Sequence, residues 1–416
     1  MDKIKKIYKL IIMSALSAGI IFLSCAFTLT VSKGVEVDGI PVGGMTVTEA
    51  AATVRNRTED ELKDKRLIIR GDKNTYEFRY PEINYKDDLF RALRNAAKGQ
   101  KLEYAPRYYL CGMEEIVKGI CNAERVEAVE PYATFNTFGE PFTYGEGSDG
   151  KEVNRAVLTA DIKSALCGGF EKITLQYTAA HRTKNYEEVI DETQKLSSFT
   201  TYFDGSNLNR VSNIRLAAAK LNGTVLKGGE ILSFNTTVGE RTKKHGFLPA
   251  KIIENGEFTE GVGGGVCQVS TTLYNCALLA GLKVEEYHPH SLAVGYVPPS
   301  RDAMVSGISC DLKLKNVSEK PVYIRAATGS NYVRFDFYGL CGEETYSLSS
   351  EVTGTLTADC EITDDPEKVR DGKDGLTSQG YLIINRGGFT KKVLLRKDKY
   401  LPVKGFSYFI EENKND

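Results

Sequence analysis

Neither sign of charge dominates these 416 residues, in which 54 Lys and Arg face 55 Asp and Glu for a net charge of −1. The signs are interspersed, so the chain lacks the broad basic surface that a nucleic-acid partner requires. The nine cysteines include no Cys-x-x-Cys pair, and their odd number shows no regular spacing. Neither a disulfide framework nor a common zinc signature is therefore written into the chain, and no cofactor motif stands out. Histidine is scarce, at four residues, so a site that needs an imidazole has few to choose from. No Lys-Ser/Thr pair follows the glycine-rich stretch GVGGG at 261–265, where Cys267-Gln268 stands instead. That stretch is no phosphate cradle.

Charge is also missing from Leu10 to Val31, a run of 22 residues that follows Lys3, Lys5, Lys6 and Lys9. About 20 apolar residues span a bilayer as a helix, and flanking lysines hold their end in the cytoplasm. The expectation is a cytoplasmic stretch at 1–9, a transmembrane helix at 10–31 and a single-pass cell-membrane protein. Residues 32–416 are then extracytoplasmic. The competing reading is a signal peptide cleaved near Ser24-Cys25-Ala26; Phe22-Leu23-Ser24-Cys25 makes a poor lipobox.

Periodicity predicts an α+β fold. In GVEVDGIPVGGMTVTEAAATV a short strand and a glycine turn precede a helix, with Thr46 and Glu49 at capping-box spacing. RLIIRGDKNTYEFRY reads as a hairpin and KDDLFRALRNAAK as a helix, so residues 32–190 form one domain. NLNRVSNIRLAAAKLNG and the segment after Cys267 have helical period. In the second helix Val266, Val269, Leu273, Ala277 and Ala280 make the buried stripe. Cys267, Ser270, Thr271 and Tyr274 share a more polar face. The period then changes to two in KVEEYH, LAVGYV, CDLKLKN, PVYIRAAT and NYVRFDFYG, as in antiparallel strands. A cysteine-bearing helix packed on an antiparallel sheet results, at 199–345, followed by a small β appendage at 346–416.

Cys267, His288, His290 and Asp302 fall within 36 residues. A thiol at a helix start gains from the dipole, but lowering its pKa from about 8.5 to about 6 takes roughly 3.4 kcal/mol. The dipole supplies at most about 2 kcal/mol. The remainder calls for an imidazolium. On a strand His288 and His290 share one face, so either can meet Cys267 while Asp302 holds the ring. Backbone N–H groups at Gly264, Gly265 and Gln268 then form an oxyanion hole, with the missing Cβ atoms admitting a substrate carbonyl. Two alternatives stay open on these residues: a buried structural cysteine, and a zinc site made with His288 and His290.

Residues 199 to about 315 resemble a VanW domain, through TTYF, Arg210, NIRLAAAKLNG, ILSFNTTVGERT, GGGVCQVSTTLYN, HPHSLAVGYVP and RDAMV. Residues 36–190 resemble, more weakly, the peptidoglycan-binding domain that often precedes it. The chain departs from the family pattern at Pro299-Ser300, where glycine is common, and at Cys276, where alanine is common. The resemblance implies L,D-transpeptidation of peptidoglycan stem peptides, a transferase reaction of cell-wall biogenesis, with Cys267 as nucleophile and His290 as its base. Arg241, Arg301, Ser270 and Tyr274 are candidates for holding substrate. A non-catalytic wall-binding accessory protein linked to glycopeptide resistance and a zinc-dependent amidase or carboxypeptidase are the competing functions.

Overall fold

The computed structural model describes residues 29–254, 257–307 and 309–408. They fall into two compact units, one built from residues up to 129 together with 149–182, the other from 130–148 and residues from 183 onward. Helix and sheet are mixed, and sheet predominates.

In the first unit the helix Val47–Lys63 starts at Thr46, whose hydroxyl accepts the Glu49 amide at 3.2 Å. The Glu49 carboxylate accepts the Thr46 amide at 3.0 Å, closing the expected capping box. Strands Leu67–Arg70 and Thr75–Phe78 pair antiparallel around the turn at Gly71. That turn wraps Glu124, the last residue of the helix Met113–Glu124 and fully buried. Its carboxylate accepts from the Lys73 amide, Asn74 Nδ2, Tyr76 OH and Tyr177 OH at 2.7–3.0 Å. A Cβ on Gly71 would lie 2.6 Å from that carboxylate, so only glycine fits.

The transmembrane helix expected over 10–31 is not supported. Among the described residues the longest helix is Val47–Lys63, with 17 residues and an interspersed charged face, and none is long and apolar enough to cross a membrane. Residues 1–28 lie outside the described residues. The three that follow, counted as the end of the span, belong to no helix. Thr30 bridges to Thr46, the Val31 amide donates to the Met45 carbonyl at 2.8 Å, and Val31 is buried in the first unit's core. The single-pass membrane placement rested on that helix and loses its support with it.

The second unit is organised by an antiparallel sheet in the order Gln194–Tyr202, Tyr332–Gly339, Val322–Thr328, Thr224–Leu226. The helices Leu208–Leu221 and Val266–Leu279 pack on it, burying Ile214, Ala217, Val269 and Leu273 against Phe335 and Phe337. A smaller sheet joins Ile231–Ser233, Lys313–Lys315 and Lys283–Glu286, and a hairpin pairs Pro249–Glu254 with Glu257–Val262. The tail forms a long three-stranded sheet, Thr345–Leu356, Gly375–Arg386 and Phe389–Tyr400. The segment LAVGYV, expected as a strand, runs as a loop. It lies between Pro289 and Pro298-Pro299, and each proline removes a donor that a ladder would need.

The buried Glu124 yields an acid-stability prediction. Burial alone would raise its pKa, but four hydrogen bonds to the carboxylate outweigh it and hold the value at about 2. A depressed carboxylate stabilises the fold above its unfolded value near 4.5, and that stabilisation is lost as pH falls towards 2. Glu124→Gln should cost about 2 kcal/mol at pH 7 in urea unfolding, and the gap to wild type should narrow below pH 4. Equal losses at pH 7 and pH 3 would remove the carboxylate from this role.

Candidate active site

Two of the glycines before Cys267 have left-handed backbone, Gly263 at φ +91° and Gly265 at φ +104°. Between them, a Cβ on Gly264 would sit 2.7 Å from the Lys251 carbonyl oxygen and 2.8 Å from Ala250 backbone. The turn is pressed against the first strand of the hairpin, and the fully buried Asn213 fixes it by donating to the Gly264 carbonyl at 3.0 Å. The run of glycines thus answers to close packing of protein backbone rather than to open space for a substrate. It ends with Gly265 as N-cap, which places Cys267 second in the helix. The Val266 amide donates to the Gly263 carbonyl at 3.1 Å and the Gln268 amide to the Gly265 carbonyl at 3.0 Å. The amides of Gly264, Gly265 and Cys267 have no backbone acceptor among the described residues, which leaves them as donors of this turn, whereas the Gln268 amide, expected among them, is used.

Cys267, Ser270, Thr271, Tyr274 and Asn275 share one helix face, at spacings of three and four. Apart from the partly exposed Cys267 that face is buried and meets protein rather than water. Ser270 Oγ donates to the Ala303 carbonyl at 2.6 Å, and Thr271 Oγ1 accepts the Ala303 amide at 2.9 Å. Asn275 Nδ2 donates to the Arg301 carbonyl at 2.7 Å. The polar row is a mould for the loop that carries Asp302. From there Asp302 Oδ2 receives the backbone amide of His290 at 2.7 Å and its ring Nδ1 at 2.6 Å. The same ring hydrogen-bonds the Cys267 sulfur, which also reaches the Val305 carbonyl at 3.4 Å.

Burial disfavours charge on both partners, yet the contacts outweigh it. Asp302 and the Cys267 thiolate hold the His290 pKa at about 9. The His290 imidazolium, with help from Arg241, brings Cys267 below the usual thiol value. Asp302, held by His290 and Arg396, lies at about 2. The two shifts run in the directions that favour proton transfer from the thiol to the imidazole.

Cys267 and His290 line a cleft of about 1200 Å³ together with Arg210, Arg241 and Tyr296. Residues 209–338, which include Cys267, His290 and Asp302, match the family model described as VanW like protein. The chain carries a VanW-like domain. Two relatives match part of the chain. One is the uncharacterized protein YoaR of Bacillus subtilis, 46% identical over 134 residues, or 32% of this chain and 44% of the relative. The other is the vancomycin B-type resistance protein VanW of Enterococcus faecalis, 34% identical over 113 residues, or 26% and 41%. The chain therefore spans less than half the length of either relative. No solved structure matches.

Within the VanW-like domain the structure brings together Cys267, His290 and Asp302, with Gly264, Gly265, Gln268 and Arg241 around them. It leaves out His288, because residues 288–290 form no strand and Pro289 separates the two rings. His288 Nε2 instead pairs with Glu286 at 3.0 Å, so Cys267, His288 and His290 do not converge on a common metal position. Ser270 and Tyr274 are buried in the mould and do not line the cleft. Arg301 is also elsewhere, bonded to Asn275 at 2.9 Å and stacked on Phe199.

Two further residues were not legible in the sequence because they lie beyond the VanW-like domain, in the tail sheet. Arg396 Nη2 and Tyr400 OH donate to Asp302 Oδ1 at 3.1 and 2.6 Å, and Arg396 also reaches the Asp302 carbonyl. The Tyr400 hydroxyl accepts the Ser300 amide at 2.7 Å, which holds Ser300 at its left-handed φ of +61°. Tyr296, in the loop expected as a strand, and Arg210, on the helix Leu208–Leu221, also line the cleft. The only sequence signal for either was its place in the family motif.

If His290 supplies the imidazolium, iodoacetamide at pH 7 should alkylate Cys267 ahead of the exposed Cys167, Cys341 and Cys360. His290→Ala should slow that reaction at least about tenfold, and His288→Ala should not. A raised histidine pKa stabilises the fold below its unfolded value of 6.5, and the contribution fades as pH rises through about 9. Tyr400→Phe should slow alkylation in the same direction as His290→Ala, more weakly. An unchanged rate in His290→Ala would remove the pair.

Proposed function

We propose that the protein is an L,D-transpeptidase of the cell wall, acting on peptidoglycan stem peptides through a thioester on Cys267. The observation that carries this reading is Cys267 paired with His290 in the lining of one cleft, with Asp302 2.6 Å behind the imidazole. The VanW resemblance supplies the substrate class, since members of that family are linked to this reaction. The vancomycin-resistance name of one relative belongs to the same cell-wall context.

The donor is a stem tetrapeptide. The Cys267 thiolate attacks the carbonyl carbon of its third residue, and the amides of Gly265 and Cys267 hold the oxyanion. As the tetrahedral intermediate collapses, the C–N bond to the terminal D-Ala breaks and the His290 imidazolium protonates the departing amine. The thioester remains, and neutral His290 is ready as a base. A side-chain amine from a neighbouring stem then attacks the thioester, gives its proton to His290 and expels the Cys267 thiolate. Asp302 keeps Nδ1–H facing away from the sulfur throughout, so Nε2 is the nitrogen that exchanges the proton.

Incubation of the full chain with disaccharide-tetrapeptide tests this directly. Intact-protein mass spectrometry should show an acyl adduct on the wild type and none on Cys267→Ala, with crosslinked dimer formed only by the former. Cys267→Ala removes one sulfur at a partly exposed position and should change stability by no more than about 1 kcal/mol. Undiminished crosslinking by Cys267→Ala would end the nucleophile reading. Binding of stem peptide with no adduct would favour a wall-binding module.

A further inference from the structure

The cleft holds more positive charge than the chemistry at Cys267 uses. Five basic side chains line it, Arg210, Arg241, Lys251, Lys313 and Lys373, against Glu240 and Asp311. Asp311 is occupied, accepting from Ser233 Oγ at 2.5 Å and from the Asn235 amide at 2.8 Å, and Lys313 pairs with Glu286 at 2.7 Å. Arg210 and Arg241 are different. Each is held by a neutral amide side chain, Arg210 Nη2 by Gln268 Oε1 at 2.8 Å and Arg241 Nη2 by Asn235 Oδ1. Among the described residues neither makes an ion pair with a carboxylate, and Arg210 Nη1 and Arg241 Nε are buried without any acceptor.

A half-satisfied, half-buried guanidinium is costly unless something completes it. Two of them sit against the same turn. A Cβ on Gly263 would touch Arg241 Cβ at 3.3 Å, and one on Gly265 would touch Arg210 Cγ at 3.1 Å. The glycines immediately before the nucleophile therefore let both arginine stems lie alongside it. Gln268 and Asn235 hold the guanidiniums in place, as amide side chains can without neutralising them.

We propose that Arg210 and Arg241 form a carboxylate subsite beside Cys267, one that recognises a free terminal carboxylate one residue beyond the attacked carbonyl. One residue spans about 3.5 Å, so such a carboxylate lies next to the nucleophile rather than deep in the cleft. Charge-assisted bonds to a guanidinium are the strong, directional kind that selects a carboxylate over its neutral amide. In the terms of the proposed function, which this inference rests on, the enzyme takes tetrapeptide donors with an uncapped end. It rejects the same peptide as a C-terminal amide or with a further residue attached.

Two measurements keep the subsite and the transpeptidase reading apart. The first uses small alkylating agents and needs no turnover. Wild-type Cys267 should prefer iodoacetate over iodoacetamide by about tenfold relative to a free thiol, because only iodoacetate carries the carboxylate. Arg210→Gln and Arg241→Gln should each lower that ratio towards the free-thiol value while leaving circular dichroism unchanged. If one variant fails to fold, the other still decides. The second compares a tetrapeptide acid with its C-terminal amide as acyl donor. Wild type should favour the acid by about tenfold or more in KM, and the variants should lose that preference. A ratio that falls in the variants of a protein that never acylates keeps the subsite and removes the transpeptidase. A ratio unmoved by both variants overturns the subsite, whatever the enzyme does.

Discussion

Asp302 is a carboxylate with 1% of its surface exposed, and the reactivity of Cys267 depends on how that anion is held. An unpaired charge at such a depth costs several kcal/mol. Four donors offset the cost here: the amide and ring of His290 on one oxygen, and Arg396 with Tyr400 on the other. With both sides filled the carboxylate stays ionised and in one orientation, and the imidazole it grips is turned to face the sulfur. Because the imidazolium lowers the thiol pKa only while it is in contact with the sulfur, the geometry of Asp302 and the nucleophilicity of Cys267 are one property.

The same constraint explains why the cysteine helix is buried on nearly every side. A helix at a site usually keeps one face for the core and another for solvent. This one places its apolar row against the sheet and its polar row, Ser270, Thr271 and Asn275, against the backbone of residues 301–303. The hydroxyl and amide side chains pair with loop carbonyls and amides that have no ladder partners of their own. A loop held this way is as well fixed as a strand. Glycine plays a parallel part at the other end of the helix. Gly264 brings the turn into contact with the hairpin, and Gly263 and Gly265 give the left-handed angles that swing Cys267 into the cleft.

How much of this was legible in the sequence follows from the range of each interaction. Local signals read well: the capping box at Thr46 and Glu49, the hairpin around Gly71, the helical period after Cys267 and the alternation in PVYIRAAT all match elements of the structure. The helical period also put Cys267, Ser270, Thr271 and Tyr274 on one face, but periodicity does not say what a face meets. Alternation misled at LAVGYV and at His288–His290, where prolines break the ladder and the two histidines part. Hydropathy misled at Leu29–Val31, which an apolar count assigns to a membrane span and which pair with Met45 and Thr46 in a small core. Arg396 and Tyr400 were beyond reach as site residues, since 94 and 98 residues separate them from Asp302.

That distance matters for where the domain ends. The family match stops at residue 338, and a boundary drawn there leaves Asp302 Oδ1 without either of its donors and Ser300 without the Tyr400 hydroxyl. Gly380 shows how closely the tail sheet is fitted to this spot, because a Cβ there would fall 2.6 Å from the Ser300 carbonyl. Arg396 is in turn balanced by Asp398 at 2.6 Å and covered by the Tyr287 ring at 4.6 Å, so its charge is placed rather than merely tolerated. A sheet that only extended the molecule would not need a buried, doubly anchored arginine aimed at a carboxylate behind the nucleophile. The tail is a structural half of the site: the VanW-like domain brings the cysteine and the histidine, and the tail sheet sets the anion that orients the imidazole between them.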